Sequence, residues 1–201
     1  MKLAGIELRY LVNELAKKSK GYYVSNIYGI SKESLLFKLH HPEKSDIMLM
    51  FSTFGMWESS VKIEQIETNK LLKRFRKDLL RLKLENVEQL GTERITYLKF
   101  KGFDKEFILV GEFFGDGNII LCNAEMKILA LFHSLDVRHR KLQVGLKYEP
   151  PPQNNLDIFK ITKDELISKK IPDLSADRWL GRTLGLPTRY VETIFYNFNI
   201  N

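Results

Sequence analysis

The chain has 201 residues, 44% of them hydrophobic and 28% charged, a balance that excludes disorder and allows one large domain or one domain with a small appendage. Its formal charge of +7 favours a polyanionic partner through long-range attraction and counterion release. No run reaches the roughly 18–20 apolar residues of a membrane span, and the one cysteine, Cys122, cannot form an internal bridge, so a soluble cytoplasmic protein with no membrane partner is expected.

The N-terminal stretch MKLAGIELRYLVNEL carries Glu7 and Glu14 and is unlike a secretory signal. The spacing of Ile6, Leu8, Leu11, Val12 and Leu15 predicts an amphipathic helix over 6–18, which Gly21 ends. Three strands follow at 22–30, 33–40 and 45–52, rich in β-branched and aromatic residues and separated by polar turns, as in a meander. Residues 53–67 read as loop or short helix. The strongest helix spans 69–82, where Leu71, Leu72, Phe75, Leu79 and Leu82 make the apolar stripe. On another face Lys70, Arg74, Lys77 and Arg81 recur at steps of four, three and four. Four more strands are expected at 85–90, 94–101, 105–114 and 118–123, the last two joined by the hairpin turn GDGN. A turn at AEMK then leads into ILALFHSL. This order argues for an α+β fold, mainly antiparallel sheet with two flanking helices, over residues 1–152. The segment EPPPQNN at 149–155 reads as a stiff linker, and 153–201 as wholly helical. There LDIFKITKDELIS holds a short helix, and LGLP joins two others, with Ser175 or Asp177 as cap of the first and Pro187 opening the second. The last helix is apolar up to Asn201, which reads as the start of a longer helical region.

Little in the chain suggests covalent chemistry. The histidines His40, His41, His133 and His139 lack carboxylate or thiol neighbours at ligand spacing, and no cofactor is called for. GDGN lacks the strand and helix context of a nucleotide-binding turn. Cys122 lies in an apolar run and reads as an inert core thiol. The basic helix is more telling, because Asp78 is its only acid and an uncompensated cationic stripe invites an anion. A second basic cluster, with Arg138, Arg140, Lys141 and Lys147, reads as a loop, and two separate patches could follow a phosphate backbone. The stretch LGRTLGLPTRYVETI resembles a helix-hairpin-helix, whose glycine turn offers backbone N–H groups to phosphate. Thr188 or Arg189 stands here where a second glycine is usual, so a plain helical bundle is the first reading of the stretch and phosphate binding by its turn the second.

Taken in order, IELRYLVNEL with VSNIY, the basic helix, QLGTERITYLKF, ILVGEFFGDGNIILCN and VGLKYEPPP resemble the N-terminal domain of the NFACT proteins. That family includes the nuclear export mediator factor of animals, a fungal ribosome quality-control counterpart and bacterial RqcH, and its bacterial relatives are often labelled fibronectin-binding proteins. The resemblance implies a fold related to the N-terminal part of formamidopyrimidine-DNA glycosylases, followed by a helix-hairpin-helix region. It also implies partners: tRNA and a large ribosomal subunit carrying stalled peptidyl-tRNA, in support of untemplated C-terminal tailing. The family's first-helix acid corresponds to Glu7, with Arg9 beside it, and its Asp-Arg pair before a central strand corresponds to Glu93 and Arg94; the resemblance implies that these four residues bind tRNA. Both acids are Glu where the family commonly has Asp. By chemistry, Arg94 could bridge phosphates or stack on a base, while a carboxylate could accept from a base edge or brace Arg94. Glycosylase chemistry needs an N-terminal proline amine beside a glutamate, and this chain begins Met-Lys-Leu, so an enzyme is not expected. Two other readings remain: an adhesin for an extracellular matrix protein, and a protein-interaction module that uses its sheet edge without nucleic acid.

Overall fold

Leu8, Val12 and Leu15 recur on one side of α1 (Gly5–Lys18) and are buried there. Their burial seats the helix against the main core, which runs along one face of the sheet. The computed structural model describes residues 3–60, 70–153 and 156–199. After α1 come β1 (Tyr23–Ser31), β2 (Ser34–His41), β3 (Lys44–Ser52) and β4 (Gly55–Glu58). Helix α2 (Lys70–Leu79) then leads to β5 (Lys83–Gln89), β6 (Ile95–Lys101), β7 (Glu106–Glu112), β8 (Asn118–Asn123) and β9 (Ile128–Leu131). These strands form one nine-stranded sheet in the order β4-β3-β2-β1-β5-β6-β7-β8-β9, antiparallel throughout. The fold is therefore α+β with a large antiparallel sheet.

The sheet consists of two sequential meanders that meet at β1 and β5, where the only register pair is Tyr23 with Lys83. Leu72, Phe75 and Leu79 of α2 join the α1 residues on the same sheet face. A second core covers the opposite face of β6 to β9, with Ile108, Val110, Ile120 and Cys122 at its centre. The strands β7 and β8 are thus buried on both sides, which is why NIILCN lacks polar alternation. Gly117 has φ +75°, and a Cβ there would overlap the Thr53 carbonyl, so the GDGN turn can pass under the β3–β4 turn only with glycine.

Several elements differ from the sequence expectation. Strand β4 replaces loop or helix at 55–58, while 61–67 of that segment and Asn69 lie outside the described residues. Helix α2 stops at Leu79, and Arg81 takes a left-handed conformation with φ +67°. Its N–H donates to Val24 O at 2.8 Å, so Arg81 belongs to the docking of β5 on β1 and leaves the helical stripe. The basic cluster expected to be a loop forms a hairpin, β10 (Leu135–Val137) with β11 (Arg140–Leu142). Beyond the proline run lie α3 (Lys163–Ser168), α4 (Ala176–Leu184) and α5 (Thr188–Asn197). Thr162 and Glu165 cap α3 reciprocally. Among the described residues, no helix is long and apolar enough to cross a membrane.

Candidate nucleic-acid interface

The β5–β6 turn carries Glu93 and Arg94, and Gln89 fixes its position. The Gln89 side-chain amide donates to Gly5 O and to Glu93 O, both at 2.8 Å, while its oxygen accepts from Arg9 Nε at 2.8 Å. A second Arg9 nitrogen donates to Gly91 O. The start of α1 and the turn are therefore laced together by one amide and one guanidinium, whose contacts link residues eighty or more positions apart in sequence. Glycine at position 5 is what permits this approach, because a Cβ there would overlap the carbonyl oxygen of Thr92. Arg9 also reaches beyond the proline run, with its guanidinium 4.7 Å from the Phe159 ring centre and 4.0 Å from Asp157.

This junction opens into a cleft of about 410 Å³. Its walls are the start of α1 (Leu3, Ala4, Gly5), the turn residues Thr92, Glu93 and Arg94, and the α4–α5 connection (Gly185, Leu186, Pro187) with Arg189. Segments from the beginning, middle and end of the chain thus face one space.

Glu7 stands behind one wall. Its carboxylate accepts from the Ala4 N–H at 2.7 Å, from Tyr190 Oη at 2.8 Å, and from an Arg189 amino group. Partial burial pushes its pKa up, but the Ala4 N–H, the Tyr190 hydroxyl and Arg189 outweigh burial and hold it below the ordinary carboxylate value. The same contact with Glu7 raises the pKa of both Arg189 and Tyr190. The bracing of Arg94 by Glu7, one of the sequence possibilities, is not what forms. Glu7 reaches forward to α5.

The α4–α5 turn ends α4 with Gly185 in the left-handed conformation, φ +63° and ψ +27°. Both the Gly185 and the Leu186 N–H donate to Gly181 O, and Pro187 has no N–H. These three residues therefore have no amide hydrogen to offer a phosphate, which goes against the phosphate-binding reading of this turn and agrees with the plain helical bundle.

The remaining basic candidates lie elsewhere. On α2, Lys77 is exposed, Arg74 pairs with Asp78, and Arg76 Nε donates to Ile27 O at 2.7 Å. The stripe is thus partly compensated. Of Lys70 only the backbone is described. Arg138 is exposed at the turn of the β10–β11 hairpin. Arg140 has another role: its side chain is 9% exposed and forks onto Glu112, itself 5% exposed. Its Nε donates to Glu149 O, and Tyr148 Oη donates to Glu112, both at 2.8 Å. Burial works against the charge on Arg140, but Glu112 more than offsets it and raises the pKa. Arg140 locks the hairpin to the sheet, which leaves little of it for a phosphate.

Burial pushes the Cys122 thiol up to about 12, so it stays protonated and unreactive at neutral pH. Among the described residues no group of three or more His, Cys, Asp or Glu could hold a metal. The sequence reading missed Gly5, Gln89 and Tyr190, and treated Arg189 only as the occupant of a glycine position. Gln89 and Gly5 carry no motif, and only the close approach of α1 and the turn reveals them.

Residues 4–201 match the family model described as NFACT N-terminal and middle domains. The archaeal Rqc2 homologue aRqcH of Methanocaldococcus jannaschii is 28% identical over 200 residues, covering 94% of this chain and 29% of that protein. Ribosome quality control complex subunit 2 of Schizosaccharomyces pombe is 25% identical over 184 residues, covering 88% of this chain and 17% of that protein. The chain therefore spans less than a third of these curated relatives. In fold, the N-terminal domain of the fibronectin-binding protein PavA from Streptococcus pneumoniae superposes with a TM-score of 0.85 at 20% identity, over 98% of this chain and 79% of that one. The family match over nearly the whole sequence, on a fold that brings the Glu93–Arg94 turn against α1, establishes that this chain belongs to the NFACT family.

Proposed function

We propose that the chain is the tRNA-engaging part of a cytoplasmic ribosome quality-control factor. In this reading it binds large subunits with stalled peptidyl-tRNA and supports untemplated C-terminal tailing, while the ribosome itself forms the peptide bonds. Residues 1–152 supply the sheet domain and 153–201 the start of a helix-hairpin-helix region. The observation that carries the reading is the cleft at which the Glu93–Arg94 turn, the start of α1 and the α4–α5 connection converge. The name of the Schizosaccharomyces pombe relative as a ribosome quality control complex subunit and that of the archaeal relative as an Rqc2 homologue support it, as does the excess of positive charge. Arg94 then contacts RNA by its guanidinium, and Glu93 accepts from a base edge and tests which base is there. Lys77 and Arg138 add sequence-independent attraction for phosphate.

The test is tRNA binding measured across a salt series. Wild type should lose affinity steeply as salt rises. Arg94→Ala should weaken binding to every tRNA by roughly tenfold, about 1–3 kcal/mol. Glu93→Ala should narrow the difference between preferred and other tRNAs more than it lowers affinity. Equal losses across all tRNAs for Glu93→Ala would sink the role given to that carboxylate. Salt-independent binding would point instead to an apolar protein-interaction surface.

A further inference from the structure

Two facts about the α4–α5 connection stand in tension. It forms a wall of the cleft, yet Gly185, Leu186 and Pro187 present no unengaged amide hydrogen to an anion there. The cationic group on that wall is the side chain of Arg189. That side chain is 46% exposed, and a guanidinium carries five N–H donors in a rigid fork. One amino group of Arg189 engages Glu7, and the ring of Tyr190 lies 5.1 Å from its central carbon. Glu7 is in turn fixed by the Ala4 N–H at 2.7 Å and Tyr190 Oη at 2.8 Å. The guanidinium is therefore held from behind while much of it faces outward.

We propose that Glu7 is a positioning residue that acts through Arg189, holding it at the cleft so that Arg189 and Arg94 together grip one stretch of RNA phosphate. This rests on the tRNA reading above and adds to it a second arginine and a reason for an acid so close to RNA. A bare carboxylate would repel the backbone, whereas one paired to an arginine orients a cation. The pair is partly exposed, and ion pairs open to solvent are weak, so a phosphate can share the guanidinium without first breaking a strong bond.

The sign of one substitution decides between positioning and mere proximity. Glu7→Gln keeps an acceptor for the Ala4 N–H, since glutamine also serves at that helix position, and removes the charge. If Glu7 only lies near RNA, losing its charge raises tRNA affinity. If it positions Arg189, affinity falls, by roughly threefold on the scale of a weak exposed ion pair. Arg189→Ala should reduce the slope of log affinity against log salt by about 0.7–0.9, the value of one lost phosphate contact. In the Arg189→Ala background, Glu7→Gln should cause no further loss. Arg189→Lys should restore the slope but only part of the affinity, because a lysine cannot reproduce the fork.

Each variant is measured with a tRNA and with an unstructured RNA oligonucleotide of equal length. An unchanged slope in Arg189→Ala, or an affinity gain in Glu7→Gln, overturns the inference. If Arg94→Ala weakens tRNA binding while Arg189→Ala does not, the inference falls and the tRNA reading stands. If tRNA and oligonucleotide bind alike and both depend on Arg189, the two-arginine grip stands and the preference for tRNA falls. If wild type binds neither RNA, both fall.

Discussion

At Gly5 a single methyl group would collide with the Thr92 carbonyl, and this sets the expectation for the simplest variant of the site. In an exposed helix, Gly→Ala stabilises by roughly 0.5–1 kcal/mol. Here the helix start is pressed against the β5–β6 turn, so Gly5→Ala should destabilise by about 1–3 kcal/mol, as overpacking does. It should also displace Glu93 and Arg94 and weaken tRNA binding. Chemical denaturation and the binding assay read these two effects, and a stabilised Gly5→Ala protein would refute the steric argument. Nothing in the sequence separates this glycine from the eleven others, because the atom it avoids belongs to a residue 87 positions away. Glu7, Glu93 and Arg94 could be singled out through family resemblance alone. Their partners could not, since Arg189 and Tyr190 meet Glu7 only when the last helix folds back on the first.

The elements that were legible are those long enough to show a period. Helix α1 and the strands β1 to β3 and β5 to β8 fall within a few residues of their expected positions, since each buries one or both faces of a large core. The elements that were missed are short: four residues for β4, three each for β10 and β11. Such strands exist because a neighbour supplies their hydrogen bonds and packing, and no local pattern announces them. The β10–β11 hairpin depends on the Glu112–Arg140 pair, buried against Tyr148. Removing one partner of such a pair leaves the other charge stranded, at a cost of about 3–5 kcal/mol. Glu112→Ala should therefore destabilise strongly and expose the hairpin to proteases ahead of the rest of the sheet. Replacing Arg138 at the hairpin turn should leave stability nearly unchanged. If the two behaved alike, the role of Arg140 as a lock would be wrong.

At the scale of the whole molecule, the helical C-terminal segment meets α1 near the cleft through polar contacts of Glu7 and Arg9. Arg9 is prominent among them, touching Gln89, Gly91, Asp157 and Phe159. Arg9→Ala removes hydrogen bonds from a charged group, each worth about 1.5–3 kcal/mol, and frees the segment around Asp157. Limited proteolysis should then cut faster near residues 156–160, with tRNA affinity reduced because the cleft has lost its alignment. Unchanged cleavage would mean that Arg9 serves the RNA directly, as the sequence reading supposed.

The division of the sheet has a further consequence, for how the chain is made. Each strand of β1 to β4 pairs with its neighbour in sequence, and so does each of β5 to β9. Only the seam between Tyr23 and Lys83 joins distant stretches. During synthesis the first meander can zip together by short loop closures while the second is still being translated. The seam then closes as soon as β5 emerges, guided by Arg81 and Leu82 docking on Val24. The cleft forms after the sheet, because its far wall is built from Gly185 to Arg189, so its geometry is complete only once α4 and α5 have emerged from the ribosome.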